Sequence, residues 1–198
     1  MITTFRFDNS DFTEYANMIM NFKSHYTEMM ATDLQRTGTS FPKSFRCVNL
    51  LNIESCGQMA LFFTRLFTQT YVERHGLLVS HAAYYGKQGF IDWHTNANTP
   101  YWNAVCTFSA NGNGFFEYKV DDQVVHMQDP VGWSVKKSRW GQPPVWHRAV
   151  SNDSDRITIT FSSEEENRID AFLSGLNNID VVVEEELHPF LNQAPPIM

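Results

Sequence analysis

The sequence predicts a mainly β protein with helices in front of the strands, and two observations favour this fold class. After residue 76, short runs rich in Val, Ile, Phe, Tyr and Trp recur between turn signals, as consecutive antiparallel strands do. Before that residue, apolar side chains recur at helical spacing instead. Eight short strands of this kind are typical of a double-sheet jelly roll or a small barrel.

The first part of the chain is expected to form a helical support for the sheets. Stripes of Phe, Tyr, Met and Ile recur at helical spacing in two segments, separated by a loop. The expected elements are a helix over 11–36 capped by Ser10 or Asp11, a strand within 45–53, and a helix over about 55–75 followed by Gly76 as its C′ residue.

The strands follow, and a last amphipathic helix is expected after them, over residues 164–178. No internal repeat or linker divides the chain, so it is expected to form a single domain over 1–198. Within it, 1–76 are the helical support, 77–163 the jelly-roll core, and 164–198 the C-terminal helix and tail. The predicted strands are 77–85, 90–96, 101–109, 115–120, 123–128, 133–140, 145–150 and 156–163.

The composition narrows the class of protein. The net charge is −7 and no run of Lys or Arg occurs, which argues against a general nucleic-acid binder. An odd count of three cysteines, without zinc-site spacing, favours reduced thiols and a cytoplasmic location. The start, MITTFRFDNSDF, does not resemble a signal peptide, and no apolar run approaches the roughly 18 residues of a membrane span.

Polar side chains alternate onto one face of three predicted strands, where an enclosed sheet should be apolar. His94 and Asn96 lie two apart, and side chains at that spacing share a face of a strand. His147 is flanked on its own face by small apolar residues. Arg156 and Thr158 share a face, nine and eleven residues after that histidine, across a tight SNDSD turn. Neighbouring strands joined so closely bring such side chains within reach of one cavity.

This combination of residues suits a particular chemistry. Neutral imidazoles bind Fe(II), and two of them leave coordination positions for a chelating substrate and O₂. A chelating 2-oxo acid has a second, distal carboxylate. A fixed guanidinium matches that carboxylate with two hydrogen bonds, and a neighbouring hydroxyl adds another.

The order of these residues resembles that of the 2-oxoglutarate- and Fe(II)-dependent oxygenases. That family carries a His-x-Asp/Glu on an early strand, a distal histidine some fifty residues later, and an Arg-x-Ser/Thr shortly after it. Here these are His94-Thr95-Asn96, then His147, and then Arg156-Ile157-Thr158. Two helices and the segment AAYYGKQGFIDWH lead into the first histidine. The resemblance covers about residues 55–162.

The resemblance implies a cupin-like jelly roll, also called a double-stranded β-helix. It also implies Fe(II) as cofactor and 2-oxoglutarate as co-substrate, which becomes succinate and CO₂ while a C–H bond is hydroxylated. The substrate is expected to be a small molecule or a protein side chain, and a homo-oligomer is left open. The residues implied are His94, His147 and Asn96 for the metal, Arg156, Thr158 and Tyr85 for 2-oxoglutarate, and His94, His147 and Arg156 for catalysis.

The departure from the family pattern is Asn96, an amide where a carboxylate is usual. Asn96 could bind the metal through its side-chain oxygen. It could instead lie outside a site in which two histidines and water bind the metal, an arrangement like that of the aspartyl/asparaginyl β-hydroxylase branch of the family. Asp92 could share the face of His94 but lies on the wrong side of the motif. The remaining alternative is a jelly-roll binding or assembly protein without turnover, for example of a viral particle.

Overall fold

The computed structural model describes residues 2–30, 42, 44–96, 101–121, 123–139, 144–176 and 180–184, and these contain the helices and strands of two sheets. The helices are α1 (Ser10–Asn21), α2 (Lys23–Met29), α3 (Ile53–His75) and α4 (Glu166–Ser174). The strands are β1 (Thr3–Arg6), β2 (Phe45–Arg46), β3 (Val48–Asn49), β4 (Leu78–Tyr85), β5 (Phe90–His94), β6 (Trp102–Ser109), β7 (Phe115–Val120), β8 (Gln123–Gln128), β9 (Gly132–Arg139), β10 (His147–Val150), β11 (Arg156–Ser163) and β12 (Asp180–Glu184).

The strands form a double-stranded β-helix of two antiparallel sheets, which confirms the predicted jelly roll. The large sheet has the order β12-β1-β9-β6-β11-β4-β3, and the small sheet has the order β2-β5-β10-β7-β8. From β4 to β11 the chain alternates between the two sheets, apart from the β7–β8 hairpin. The eight predicted strands are β4 to β11, with ends that shift by no more than two residues.

The helices differ from prediction at three places. The first predicted helix is interrupted at Phe22, between α1 and α2, and its stretch beyond Met30 lies outside the described residues. The expected cap is also wrong, because the side chain of Asn9 accepts hydrogen bonds from the backbone N–H groups of Asp11 and Phe12. The second helix is confirmed up to His75, but Gly57, with φ 74° and ψ 164°, makes a kink near its start. Gly76 follows the helix with φ 62°, a left-handed conformation that glycine adopts readily.

The C-terminal helix is confirmed as α4, which packs against β6 and β11. Among the described helices, none has the length and apolar character to cross a membrane. The division of the chain at residues 76 and 163 stays a prediction.

The two faces of the large sheet have opposite character. All eight residues of β11 are buried, and Ile157, Ile159 and Phe161 join the apolar core that the helices cover. The alternate residues point to the space between the sheets, where Arg156 and Thr158 lie. Burial of charge and hydroxyls is unfavourable unless they are paired, so this interior is where a functional site is expected.

Candidate metal and anion-binding site

Two histidines lie side by side in the interior between the sheets. β5 and β10 are antiparallel neighbours, and His94 and His147 stand directly opposite each other. Their ring centroids are 4.2 Å apart and the ring planes are inclined by 57°. The two residues are buried, at 9% and 6% exposure. The structure therefore brings together two side chains that are 53 positions apart in the chain.

A bulge in β5 determines which side chains share the face of His94. His147 lies opposite His94, but Ala149 lies opposite Ile91, so β5 has one extra residue between the two pairs. Ala149 and Ile91 both belong to the apolar cluster between the sheets. The simple alternation of a regular strand therefore does not apply between Ile91 and His94, and the face taken by Asp92 stays a prediction.

The hydrogen bonds of the two rings determine which nitrogen of each can bind a metal ion. The Nδ1 atom of His94 is 2.8 Å from the carbonyl oxygen of Asp92, and Nδ1 of His147 is 2.9 Å from that of Val145. A carbonyl oxygen can only accept, so each Nδ1 carries the proton and each Nε2 carries the lone pair. Metal-binding imidazoles usually have such a carbonyl partner on the opposite nitrogen.

Burial keeps both imidazoles neutral. It lowers the pKa of His147 to about 3, and the neighbouring His94 adds to this fall. Burial also lowers the pKa of His94, although the backbone hydrogen bond to Asp92 opposes the change. At pH 7 a metal ion would not have to displace a proton from either ring.

The third predicted ligand, Asn96, lies two residues beyond His94, just past the end of β5, and is half-buried. Its amide oxygen is neutral, unlike the carboxylate usual at this place. Among the residues that the structure describes, no three His, Cys, Asp or Glu side chains come together as a metal site. The structure thus brings two imidazoles together, and the amide of Asn96 stays a predicted third donor. Imidazole suits Fe(II), and this set leaves several coordination positions for other ligands.

The predicted anion-binding residues are in contact with one another. Arg156 is 1% exposed, and its Nη1 donates to Oγ1 of Thr158 at 2.6 Å, while Nη2 is 3.5 Å from Oγ1 of Thr107. Its Nε donates to Oδ2 of Asp129 at 2.7 Å. The guanidinium carbon lies 5.2 Å from the centroid of the Tyr85 ring, a cation–π contact.

The Asp129 carboxylate, which pairs with Arg156, also pairs with a second cation. Asp129 is fully buried and accepts a hydrogen bond from Nζ of Lys136 at 3.0 Å; Lys136 is equally buried. Burial raises the pKa of Asp129, but the charges of Arg156 and Lys136 outweigh it and the pKa is lowered overall. Burial lowers the pKa of Lys136, and a further anion beside it would oppose this fall.

This ion cluster is not apparent from the sequence. A weak signal exists in WSVKKSRW, where Ser134, Lys136 and Ser138 alternate onto one strand face, which β9 turns to the interior. Asp129 gives no signal, because it stands before a proline in a turn, where aspartate is common.

One more histidine lies on the same face of the large sheet as Arg156. His81, on β4, has Nε2 at 3.3 Å from the hydroxyl of Tyr85. Its pKa is lowered to about 4, first by burial and then by His94 and Arg156. His81 is therefore electrostatically coupled to both parts of the site.

No family model and no curated protein matches this chain significantly, whereas solved structures do match it. A prolyl-4-hydroxylase of Pseudomonas putida is 14% identical, with a TM-score of 0.45 over 83% of this chain and 92% of that chain. A prolyl hydroxylase of Trichoplax adhaerens, solved with a peptide fragment of the hypoxia inducible factor oxygen degradation domain, is 13% identical, with a TM-score of 0.44 over 83% of this chain and 86% of that chain. An oxidoreductase of the 2OG-Fe(II) oxygenase family from Burkholderia pseudomallei is 11% identical, with a TM-score of 0.40 over 81% and 94% of the two chains.

Proposed function

We propose that this chain is an oxygenase that depends on Fe(II) and 2-oxoglutarate. The observation that carries the proposal is the buried pair of His94 and His147, whose rings are 4.2 Å apart and whose Nδ1 atoms both bond to carbonyl oxygens. Two neutral imidazoles leave coordination positions for a chelating acid and for O₂. Arg156, buried in the same interior, suits the far carboxylate of that acid.

Each of these residues has a part in the proposal. His94 and His147 would hold the iron through Nε2, with the Asn96 amide as a weaker third ligand. Arg156 and Thr158 would bind the distal carboxylate of 2-oxoglutarate by charge-assisted hydrogen bonds. A second carboxylate would improve the charge balance of the cluster, because two buried cations now share one anion.

The iron, when bound, would supply activation of O₂, by which 2-oxoglutarate is converted to succinate and CO₂ and a C–H bond of a second substrate is hydroxylated. The chain would orient both substrates and exclude water from the interior. The second substrate would be a small molecule or a protein side chain. The three cysteines, all free thiols, suit a reducing compartment such as the cytoplasm.

An anaerobic titration with Fe(II) and then 2-oxoglutarate tests this function. We expect the wild-type protein to develop the weak visible charge-transfer band of an iron-bound 2-oxo acid. Thr158→Val should weaken 2-oxoglutarate binding by roughly tenfold or more, because it removes a hydroxyl beside a charged group. Fe(II) binding should be unchanged in that variant.

Thr160→Val is the matched control, because Thr160 is the next inward-facing threonine of β11 and lies opposite His81, away from Arg156. Its 2-oxoglutarate affinity should equal that of the wild type. A wild-type protein that retains no iron and shows no band would contradict the proposal. It would favour the jelly-roll binding or assembly protein instead.

Asn96→Asp is expected to strengthen Fe(II) binding by about tenfold or more, because a charged oxygen ligand replaces a neutral one. Equilibrium titration with Fe(II), or with Mn(II) in air, measures the change. Asp92→Asn is the matched control on the other side of His94, since the Asp92 carboxylate accepts hydrogen bonds from the Trp93 N–H and the Ser44 hydroxyl. An unchanged affinity in Asn96→Asp would show that residue 96 lies outside the coordination sphere.

A further inference from the structure

His81 occupies a position that the proposed chemistry does not use. It lies on β4 opposite Thr160 of β11, and it faces the interior together with Ala83 and Tyr85. A half-buried histidine on an inward face is commonly a satisfied core residue. Here its single hydrogen-bond partner among the described side chains is the hydroxyl of Tyr85, at 3.3 Å.

The spacing along β4 determines how the tyrosine reaches that histidine. Positions 81 and 85 are four residues apart, which is about 13 Å along a strand. A hydrogen bond over that distance requires the Tyr85 side chain to extend back along the strand, past the small Ala83, toward His81. Arg156 lies directly across the strand pair from Tyr85, and its guanidinium carbon is 5.2 Å from the ring centroid.

We propose that His81 is a positioning residue for the carboxylate anchor, acting through Tyr85 on Arg156. By holding the tyrosine hydroxyl, His81 fixes the ring against one face of the guanidinium. Asp129 and Thr158 fix the edge of the same guanidinium through Nε and Nη1. This inference rests on the proposed function, since it assigns the anchored anion as 2-oxoglutarate.

The contacts of Arg156 explain why the ring matters. The in-plane contacts limit sliding of the guanidinium, but the contact of Nη2 with Thr107, at 3.5 Å, is long. Contact with the Tyr85 ring therefore adds to the resistance against rotation of the guanidinium out of its plane. A carboxylate bound by two parallel hydrogen bonds is sensitive to such rotation.

The test is a double-mutant cycle on 2-oxoglutarate binding, measured by anaerobic calorimetry with the Mn(II)-loaded protein. His81→Phe and Tyr85→Phe each remove one partner of the hydrogen bond, and each should weaken 2-oxoglutarate binding by roughly three- to tenfold. The double variant should bind no more weakly than either single variant, since both act through one contact. His81→Gln, which keeps a side chain able to hydrogen-bond, should recover most of the affinity.

Mn(II) affinity, measured separately, should stay within about twofold of wild type in all four variants. Additive losses in the double variant would overturn the inference, as would full 2-oxoglutarate affinity in His81→Phe. A loss of Mn(II) binding in His81→Phe would also overturn it, because His81 would then act on the metal. If His81→Phe fails to fold, His81→Leu replaces it in the same cycle, and full 2-oxoglutarate affinity in that variant would overturn the inference. A wild-type protein that binds Mn(II) but not 2-oxoglutarate would instead refute the proposed function.

Discussion

Replacement of His147 by alanine is expected to abolish Fe(II) binding. Of the proposed donors, only one imidazole and the amide of Asn96 would remain, which is too weak a set to retain the ion. Loss of a hydrogen bond to a ligand alone typically costs about 10- to 100-fold in metal affinity. Loss of the ligand itself should therefore cost more than about 100-fold. Anaerobic Fe(II) titration, followed by the visible band with 2-oxoglutarate, measures both affinity and site integrity.

His126→Ala is the control for this variant. His126 is a half-exposed residue of β8 that bonds to Glu117 at 3.0 Å, so its loss should leave Fe(II) affinity unchanged. His147→Gln preserves side-chain bulk in the interior and separates loss of a ligand from loss of packing. The two-histidine site would be refuted by a folded His147→Ala variant that binds iron as tightly as the wild type.

The histidines could be predicted because strand periodicity makes a polar residue on a buried face conspicuous. His147 stands between Val145 and Ala149, and Arg156 and Thr158 alternate with core residues. The register between β5 and β10 could not be predicted. The bulge beside His94 depends on pairing between two strands, and it changes which residues of β5 face inward.

The strands after residue 76 could be predicted because turn residues separate them and each is amphipathic or apolar. β1 and β12 are different, since each is short and exists by pairing with distant segments. β1 pairs with β9, more than a hundred residues later, and no local pattern in TTFR indicates this. Short strands of this kind are determined by tertiary contacts rather than by propensity.

The Arg156–Asp129–Lys136 cluster escapes sequence analysis for the same reason. Asp129 precedes Arg156 by 27 residues, and nothing local indicates that the two side chains meet. A charged residue on an apolar strand face is unusual in a sequence, and the partner that makes its burial possible is identified only in the folded structure. The effect of the cluster on the free energy of unfolding therefore has to be measured, as well as its effect on binding.

Asp129→Asn is expected to destabilise the protein by roughly 3–5 kcal/mol, the usual cost of leaving a buried charge without its partner. Both Arg156 and Lys136 would lose their carboxylate at once. Urea unfolding at pH 7 measures the change in the free energy of unfolding. Asp170→Asn is a close control, because Asp170 pairs with Lys137, the neighbour of Lys136 on β9, but is half-exposed. That exposed pair should contribute no more than about 1 kcal/mol.

The Asp129 carboxylate is also expected to make the stability of the protein depend on pH. The pKa of Asp129 is lowered in the folded protein, by Arg156 and Lys136, below its unfolded value of about 3.9. Its contribution is therefore fully present above about pH 4 and is lost as the pH falls through the lower folded-state pKa. The difference in unfolding free energy between wild type and Asp129→Asn should narrow as the pH falls from about 4 to about 2. A difference that stays constant over this range would show that the charge of Asp129 is not what stabilises the cluster.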